Sequence, residues 1–293
     1  LVCMLGTVQA YTSQWHTGSD LVGKVTSIVI AKGDTMHHIA RQQDVGYSAL
    51  IAANPGINPY HLRPGTVLLI PHQSILPSAK RTGIVVNVAA MQVYYFHPNS
   101  QQVDIYPIGI ARVGWSTPTG SMTIVQKKKN PGWMVPESIR EWRAEQGDPL
   151  PKIVPPGPNN PLGRYALRLS NPLYLIHGTN DPNGIGQRST AGCIRLYPED
   201  IHRLYRQVAK GTPVLIVDRP YMFGWQGNSL FFEAHIPLSP QTPEQEEAMV
   251  WQALRNMLPA QWVVSVQERI VHQAMSQVWR MPLKWVSALQ NKS

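Results

Sequence analysis

The amino-acid sequence predicts a mainly β protein: a β-rich domain interrupted by one helix, with a small βααβ unit before it and an α+β region after it. Three observations lead there. Residues 83–219 carry short apolar runs of period two, separated by turn residues. Residues 27–71 carry two strand-like runs around two short stretches of helical spacing. The 293 residues include 26 prolines and 22 glycines, a mix suited to short strands and many turns.

In chain order, residues 1–26 read as a leader. Leu1 to Ala10 is a short apolar stretch ending in Val8-Gln9-Ala10, small residues at the spacing of a secretory cleavage site. It reads as the tail of a signal peptide, with a frayed N-terminal strand as the alternative. Cleavage there would remove Cys3 and leave Cys193 as the one thiol, which is then either buried and inert or reactive.

Residues 27–71 open with the strand Ser27-Ile28-Val29-Ile30. Lys32-Gly33-Asp34-Thr35 is a turn whose Asp or Thr caps the next helix, which carries Met36, Ile39 and Ala40. A second helix begins near Ser48, carries Leu50, Ile51 and Ala52, and must stop at Asn54-Pro55-Gly56. Leu62-Arg63-Pro64-Gly65-Thr66 turns into a second strand, Val67 to Pro71.

Residues 72–82 are polar, show no period and read as a linker. Strands are expected at 84–88, 91–96, 103–108, 121–125, 164–169, 173–177 and 213–218, with a helix from Pro198 to Lys210-Gly211. Residues 126–162 are irregular and rich in Pro, Asn and Trp, and read as a loop or lid beside a site. Its Lys127-Lys128-Lys129 run is a solvated patch or a substrate contact. Residues 220–293 form an accessory region with a strand over 230–236 and a capping-box helix start at Thr242-Pro243-Glu244-Gln245. Ala248, Trp251, Leu254 and Leu258 make that helix's apolar face, and a second helical stretch is expected over 263–280. Trp262, Trp279 and Trp285 are expected to pack in a core.

The formal net charge of +9 favours anionic partners such as nucleic acid, acidic lipid or a wall bearing carboxylates. No zinc-knuckle, RNP-like or helix-turn-helix signature supports nucleic acid. No run of 18 apolar residues predicts a membrane span.

The chemistry points to His177, at the end of a strand, and Cys193, sixteen residues later. The segment between them holds Pro182, Gly184 and Gly186, which suit a loop returning to the strand. A thiol is mostly protonated at neutral pH, and an imidazole can take its proton or hold a thiolate–imidazolium pair. Gly192 lets a carbonyl approach the backbone, and the helix starting at Pro198 adds positive potential if its N-terminus points inward. Taken alone, the pair is equally a core cysteine and a strand-end histidine.

Two resemblances narrow the reading. Gly33-Asp34-Thr35, Ile39-Ala40, Leu50, Asn54-Pro55-Gly56-Ile57-Asn58 and Leu62-Arg63-Pro64-Gly65 resemble a LysM module. That implies binding of peptidoglycan glycan by Gly33, Asp34, Thr35, Asn54, Pro55 and Ile57, although each also has a local structural use. Thr117-Pro118-Thr119-Gly120, Pro158-Asn159-Asn160-Pro161-Leu162-Gly163, His177-Gly178-Thr179-Asn180, Gly184-Ile185-Gly186 and Gly192-Cys193-Ile194-Arg195-Leu196 resemble the YkuD family of L,D-transpeptidases, in its ErfK/YbiS-type branch. The resemblance spans about residues 27–240.

It implies a β-sandwich catalytic domain, Cys193 as nucleophile, His177 as general base with its other nitrogen held by the Gly178 carbonyl, and oxyanion donors at Gly192 and Cys193. Arg195 then orients the loop, meets a substrate carboxylate or forms a structural ion pair. Thr190, Ala191, Asn180 and Trp133 are the implied substrate contacts. Ala191 departs from many members, which carry His there, and this leaves rate and acceptor choice open. The family implies no cofactor or metal, peptidoglycan as partner, an outer-membrane lipoprotein as one acceptor, and the periplasm of a Gram-negative bacterium as location. The alternatives are a non-catalytic LysM wall-binding protein and a papain-like protease.

Overall fold

The computed structural model describes residues 11–258 and 282–287, with the side chains of 283–287 excepted. The leader through Cys3, the helical stretch expected over 263–280 with Trp262 and Trp279, and the side chain of Trp285 lie outside the described residues.

The chain opens with strands β1 (Tyr11–Gln14) and β2 (Leu21–Val22). β1 pairs antiparallel with a strand of the large sheet, Tyr11 opposite Ile105, so residues 11–14 are part of the fold. Arg81 and Asp20 pair at 2.6 Å, and the Arg81 guanidinium lies over the Trp15 ring.

The βααβ unit comprises β3 (Val25–Val29), α1 (Met36–Gln42), α2 (Tyr47–Ala52) and β4 (Val67–Pro71). β3 and β4 pair antiparallel, and Met36, Ile39, Ala40, Leu50, Leu68 and Ile70 form a small core. Thr35 caps α1 by accepting from the His38 N–H. Asp34 accepts from the Ala31 N–H at 2.8 Å.

The 72–82 segment is built into the fold. Its polarity hides a short strand, β5 (Ser74–Ile75), which pairs with β2, and Ser74, Ile75 and Leu76 are buried. The Ile75 N–H is taken by Glu233, itself 1% exposed, so a buried polar atom there has its acceptor.

The β-rich domain holds β6 (Gly83–Asn87), β7 (Gln92–Phe96), β8 (Gln102–Ala111) and β9 (Gly120–Lys129). After them come β10 (Trp133–Met134), α3 (Glu137–Glu145), β11 (Ile153–Val154), β12 (Tyr165–Leu169) and β13 (Leu175–His177). β14 (Arg188–Thr190), β15 (Ile194–Leu196), α4 (Pro198–Gln207) and β16 (Pro213–Val217) complete it.

β8 and β9 are ten residues long and each serves two neighbourhoods. The first half of β8 lies between β1 and β7, and its second half meets β14 and β15. β9 pairs with β16 through 120–123 and with β12 through 124–129. Ile84, Ile108, Ile124, Leu167, Ile176, Ile194 and Ile216 from these strands meet Ile201 and Leu204 of α4 in one core.

Two expectations change here. Lys127-Lys128-Lys129 ends β9 rather than opening a loop, because β12 supplies its hydrogen-bonding partner. Lys127 turns inward, donating to the Val208 carbonyl at 2.7 Å over the Tyr205 ring, so it is not a freely solvated charge. The 126–162 stretch also holds a second helix, α3, between the paired strands β10 and β11. None of α3's residues is buried, so no apolar periodicity announced it. The base of this excursion is pinned by Asn160, 1% exposed, whose amide donates to the carbonyls of Pro131, Val154 and Pro155 and whose Oδ1 accepts from the Leu162 N–H.

The C-terminal region pairs β17 (Tyr221–Gln226), β18 (Ser229–Ala234) and β19 (Leu283–Ser287) under α5 (Pro243–Arg255). Thr242 and Gln245 form a reciprocal capping box, and Val250, Leu254 and Leu258 face the sheet.

Candidate active site

β13 and β15 run parallel, with Ile176 opposite Ile194 and His177 opposite Arg195. Ile176 and Ile194 are buried in the core. Strand side chains alternate, so Leu175, His177, Cys193 and Arg195 share the other face. The loop between His177 and Cys193 thereby returns both residues to one side of one strand pair.

His177 is 3% exposed, and its Nδ1 lies 2.6 Å from the Gly178 carbonyl. A carbonyl only accepts, so Nδ1 carries the proton and Nε2 keeps its lone pair. Burial, with the Arg195 charge added, pushes His177 down to about 3, against the Gly178 hydrogen bond. The ring is therefore neutral at physiological pH. Gly178 is close-packed, since a Cβ there would lie 2.9 Å from Ile201 Cγ2.

Cys193 is a free, half-buried thiol. Burial raises its pKa, while a backbone hydrogen bond from Leu175 and the charges of Arg195 and Arg168 pull it back. The resting pair is thus thiol and neutral imidazole, not thiolate and imidazolium.

The turn before Cys193 is held by Thr190. Its hydroxyl donates to the Cys193 carbonyl at 2.7 Å and accepts from the Gly192 N–H at 3.2 Å. This corrects two assignments. Thr190 is 4% exposed with its hydroxyl committed, so it shapes the turn and offers nothing to a substrate. The Gly192 N–H is spent on Thr190, which leaves the Cys193 N–H, without a partner among the described residues, as the donor of this pair facing the site. Gly192 is required for another reason: its φ is +116° and a Cβ would meet the Ser116 carbonyl at 2.8 Å. Thr117 donates to the Gly192 carbonyl at 2.9 Å, which ties the 117–120 turn to the nucleophile.

Ala191 is half-buried beside Gly192. Asn180 is exposed and donates to the Asn159 carbonyl at 3.3 Å, bracing the base of the insertion. Trp133 lies in the β10–β11 pair. The indole that reaches the nucleophile's neighbourhood is Trp142 of α3, stacked 3.5 Å over the guanidinium of Arg112, whose N–H donates to the Thr190 carbonyl. Sequence spacing gave no sign of this contact, because α3 has no apolar stripe and Arg112 lies thirty residues away. The first turn of α4 does not serve the thiol. Its Glu199 pairs with Arg41 of α1 at 2.5 Å and Tyr197, its cap, donates to the Val45 carbonyl.

Among the glycan candidates, Asn54 is 6% exposed and its side chain is fully spent. Its amide donates to the Leu50 and Leu69 carbonyls, and its Oδ1 accepts from the Leu69 N–H. It is a structural clamp between α2 and β4. Asp34 and Thr35 make the local turn and cap bonds described above. Gly33, Thr35 and Pro55 are exposed and Asp34 and Ile57 half-buried, so these five remain on the surface that a glycan would meet.

Comparison with known proteins gives the family. Residues 81–216 match the L,D-transpeptidase catalytic domain and residues 28–71 match the LysM domain. The chain is 42% identical to the probable L,D-transpeptidase YcfS of Escherichia coli over 238 residues, 79% of this chain and 74% of that one. It is 41% identical to the probable L,D-transpeptidase ErfK/SrfK of Salmonella typhimurium over 233 residues, 78% and 75% of the two chains. The probable L,D-transpeptidase YbiS of Escherichia coli is 42% identical over 245 residues, 82% and 79%.

Proposed function

Starting from the fact that this chain belongs to the L,D-transpeptidase family, with an N-terminal LysM domain, we propose that Cys193 and His177 carry out a two-step acyl transfer on peptidoglycan stem peptides. The observation that carries this is the shared face of β13 and β15, with His177 Nδ1 held by Gly178 so that Nε2 is the basic atom.

In the first step Nε2 takes the thiol proton as Sγ attacks the carbonyl of meso-diaminopimelate in a tetrapeptide stem. The Cys193 N–H faces the developing oxyanion; one such donor typically contributes about 3 kcal/mol. Collapse of the tetrahedral intermediate expels the D-Ala amine, which collects the proton from the imidazolium. Arg195, opposite His177, disfavours the charged ring and so drives that proton on. In the second step an amine attacks the thioester, Nε2 takes its proton, and the thiol is restored. The acceptor is a lysine of an outer-membrane lipoprotein or a second diaminopimelate.

The LysM unit holds the enzyme on glycan through the surface around Gly33, Pro55 and Ile57. No helix among the described residues is long and apolar enough to cross a membrane. A reaction on the wall is the support for a periplasmic location.

The test is intact-mass measurement after incubation with a carbapenem. One covalent adduct is expected on the wild type and none on Cys193→Ala. A folded wild-type protein that stays unmodified would sink the catalytic reading. Muropeptide analysis of a deletion strain separates the acceptors: loss of 3→3 dimers points to diaminopimelate, loss of lipoprotein-linked muropeptides to lysine.

A further inference from the structure

Arg112 directly follows β8, and its N–H donates to the Thr190 carbonyl at 2.9 Å. Thr190 in turn donates to the carbonyl of Cys193. The backbone of Arg112 is therefore fixed against the turn that presents the nucleophile. Its side chain is held by two indoles. The guanidinium carbon lies 3.5 Å from the ring centre of Trp142 on α3 and 4.8 Å from that of Trp115.

These rings supply π surface but no hydrogen-bond acceptor. Among the described residues the Arg112 side chain makes no hydrogen bond and no ion pair, and its Nε is buried without a partner. Burying that one donor unpaired is costly, while the rest of the half-exposed fork is left open to a ligand. The charges around it sharpen the point. Arg143 of α3 and Arg195 both lie within electrostatic reach of Arg112, and the Arg195 Nε is also buried without a partner. Asp148 pairs with Arg143, and Asp181 faces Arg195, so neither carboxylate serves Arg112. The result is an unanswered cation, preset in orientation, one strand from the thiol.

We propose that Arg112, clamped by Trp115 and Trp142, is a specificity-determining residue that receives a carboxylate of the acyl-donor stem peptide. This rests on the transpeptidase reading above. A planar fork pairs with a carboxylate through two parallel hydrogen bonds, which an ammonium does not reproduce. A tetrapeptide stem carries three such groups, on both sides of the cleaved bond: the α-carboxylate of its D-glutamyl residue, the free side-chain carboxylate of diaminopimelate and the terminal carboxylate of D-Ala. Trp142 rides on a helix with no buried residue, so half of the clamp belongs to the insertion. Carboxylate binding and the placement of α3 are thereby linked.

The test measures D-Ala release, as KM and kcat, from the tetrapeptide donor and from three amidated forms, one at the D-glutamyl carboxylate, one at the free diaminopimelate carboxylate and one at the terminal carboxylate. The wild type is expected to lose about tenfold in KM or more for one amidated donor. That donor identifies the carboxylate. Arg112→Gln should show the raised KM with the acid donor and no further loss on amidation, with Arg112→Lys in between. Trp142→Ala should weaken the acid-over-amide preference, whereas a purely structural latch would change acid and amide donors alike. Circular dichroism and iodoacetamide alkylation of Cys193 check that each variant is folded with an intact thiol. An Arg112→Gln protein that keeps the wild-type preference, or a wild type indifferent to all three amidations, overturns the assignment. A wild type that releases D-Ala from no donor overturns the transpeptidase reading itself.

Discussion

Where the LysM unit meets the catalytic domain, two carboxylates are buried together, and replacing one of them by its amide tests what they cost. Asp44 sits in the α1–α2 turn and Asp200 in the first turn of α4, with side chains 2% and 0% exposed. The facing groups are Arg203, whose Nη1 lies 3.9 and 3.8 Å from the two carboxylates, then Glu199 and Tyr197. Burial pushes Asp44 up to about 6 from 3.8, against the pull of Asp200 and Arg203, and raises Asp200 well above its ordinary range. Folded Asp44 thus keeps its proton to higher pH than unfolded Asp44. Stability is full below about pH 4 and falls as pH rises toward 6, by at most about 3 kcal/mol. Asp44→Asn removes that loss. Asn also tolerates the φ of +52° found here. Allowing for the attraction to Arg203 that is given up, a gain of about 1–2 kcal/mol above pH 7 is expected, raising Tm by about 3–6 °C. Calorimetry from pH 4 to 8 reads it. Curves that coincide near pH 4 and separate toward pH 7 are the expected outcome. A variant that melts below the wild type at pH 7.5, or tracks it at every pH, would refute the account of a mutually destabilising pair.

Alkylation of Cys193 by iodoacetamide should accelerate about tenfold per pH unit from pH 6 to at least 8.5, because a raised thiol beside a neutral imidazole is a thiolate only in proportion to pH. A fast plateau from pH 5 to 7 would mean an ion pair instead. Thr190→Val removes both bonds that shape the nucleophile turn and should cost about 2 kcal/mol of stability together with most of the D-Ala release, while Thr190→Ser retains both properties. Asn54→Ala should lower the Tm by the loss of three buried hydrogen bonds, about 3 kcal/mol; an unchanged melt with lost binding to sacculi would make Asn54 a sugar ligand after all. Gly186→Ala, at φ +77° with a Cβ only 2.3 Å from Tyr47 N, should cost at least about 2 kcal/mol and expose the LysM–catalytic junction to protease.

The parts of this fold visible in the sequence are those whose physics is local. The α5 start rests on Thr242 and Gln245, three positions apart, and the β-rich character rests on short apolar runs between turns, such as Ile84 to Val86, which is buried on both faces. What stayed hidden depends on distant partners. Ser74 and Ile75 look like linker until Glu233, 158 residues away, takes the Ile75 N–H. The lysines at 127–129 look like the start of a loop until β12 supplies their ladder, and of the three Lys127 turns inward while Lys128 and Lys129 stay exposed. α3 has no buried face, so periodicity has nothing to report.

The same division runs through the site. Cys193, His177 and their glycines stand out because a thiol, a base and a tight turn are chemical requirements that short strings can meet. The allotment of donors does not, since it is decided by rotamers: Thr190 takes the Gly192 N–H, and only then does Cys193's own N–H become the one left free. Docking of the glycan module is subtler still. The N–H groups of Tyr47 and Ser48, left unpaired at the start of α2, donate to the carbonyls of Ile185 and Gly186 in the loop that joins His177 to Cys193. Two glycines allow that approach, with a Cβ on Gly46 only 3.0 Å from the Gly186 Cα. A helix end that lacks acceptors and a loop that offers carbonyls complete each other. The module is therefore seated on the segment that aligns nucleophile and base, and a glycan strand held by one is set at a fixed distance from the stem peptide opened by the other.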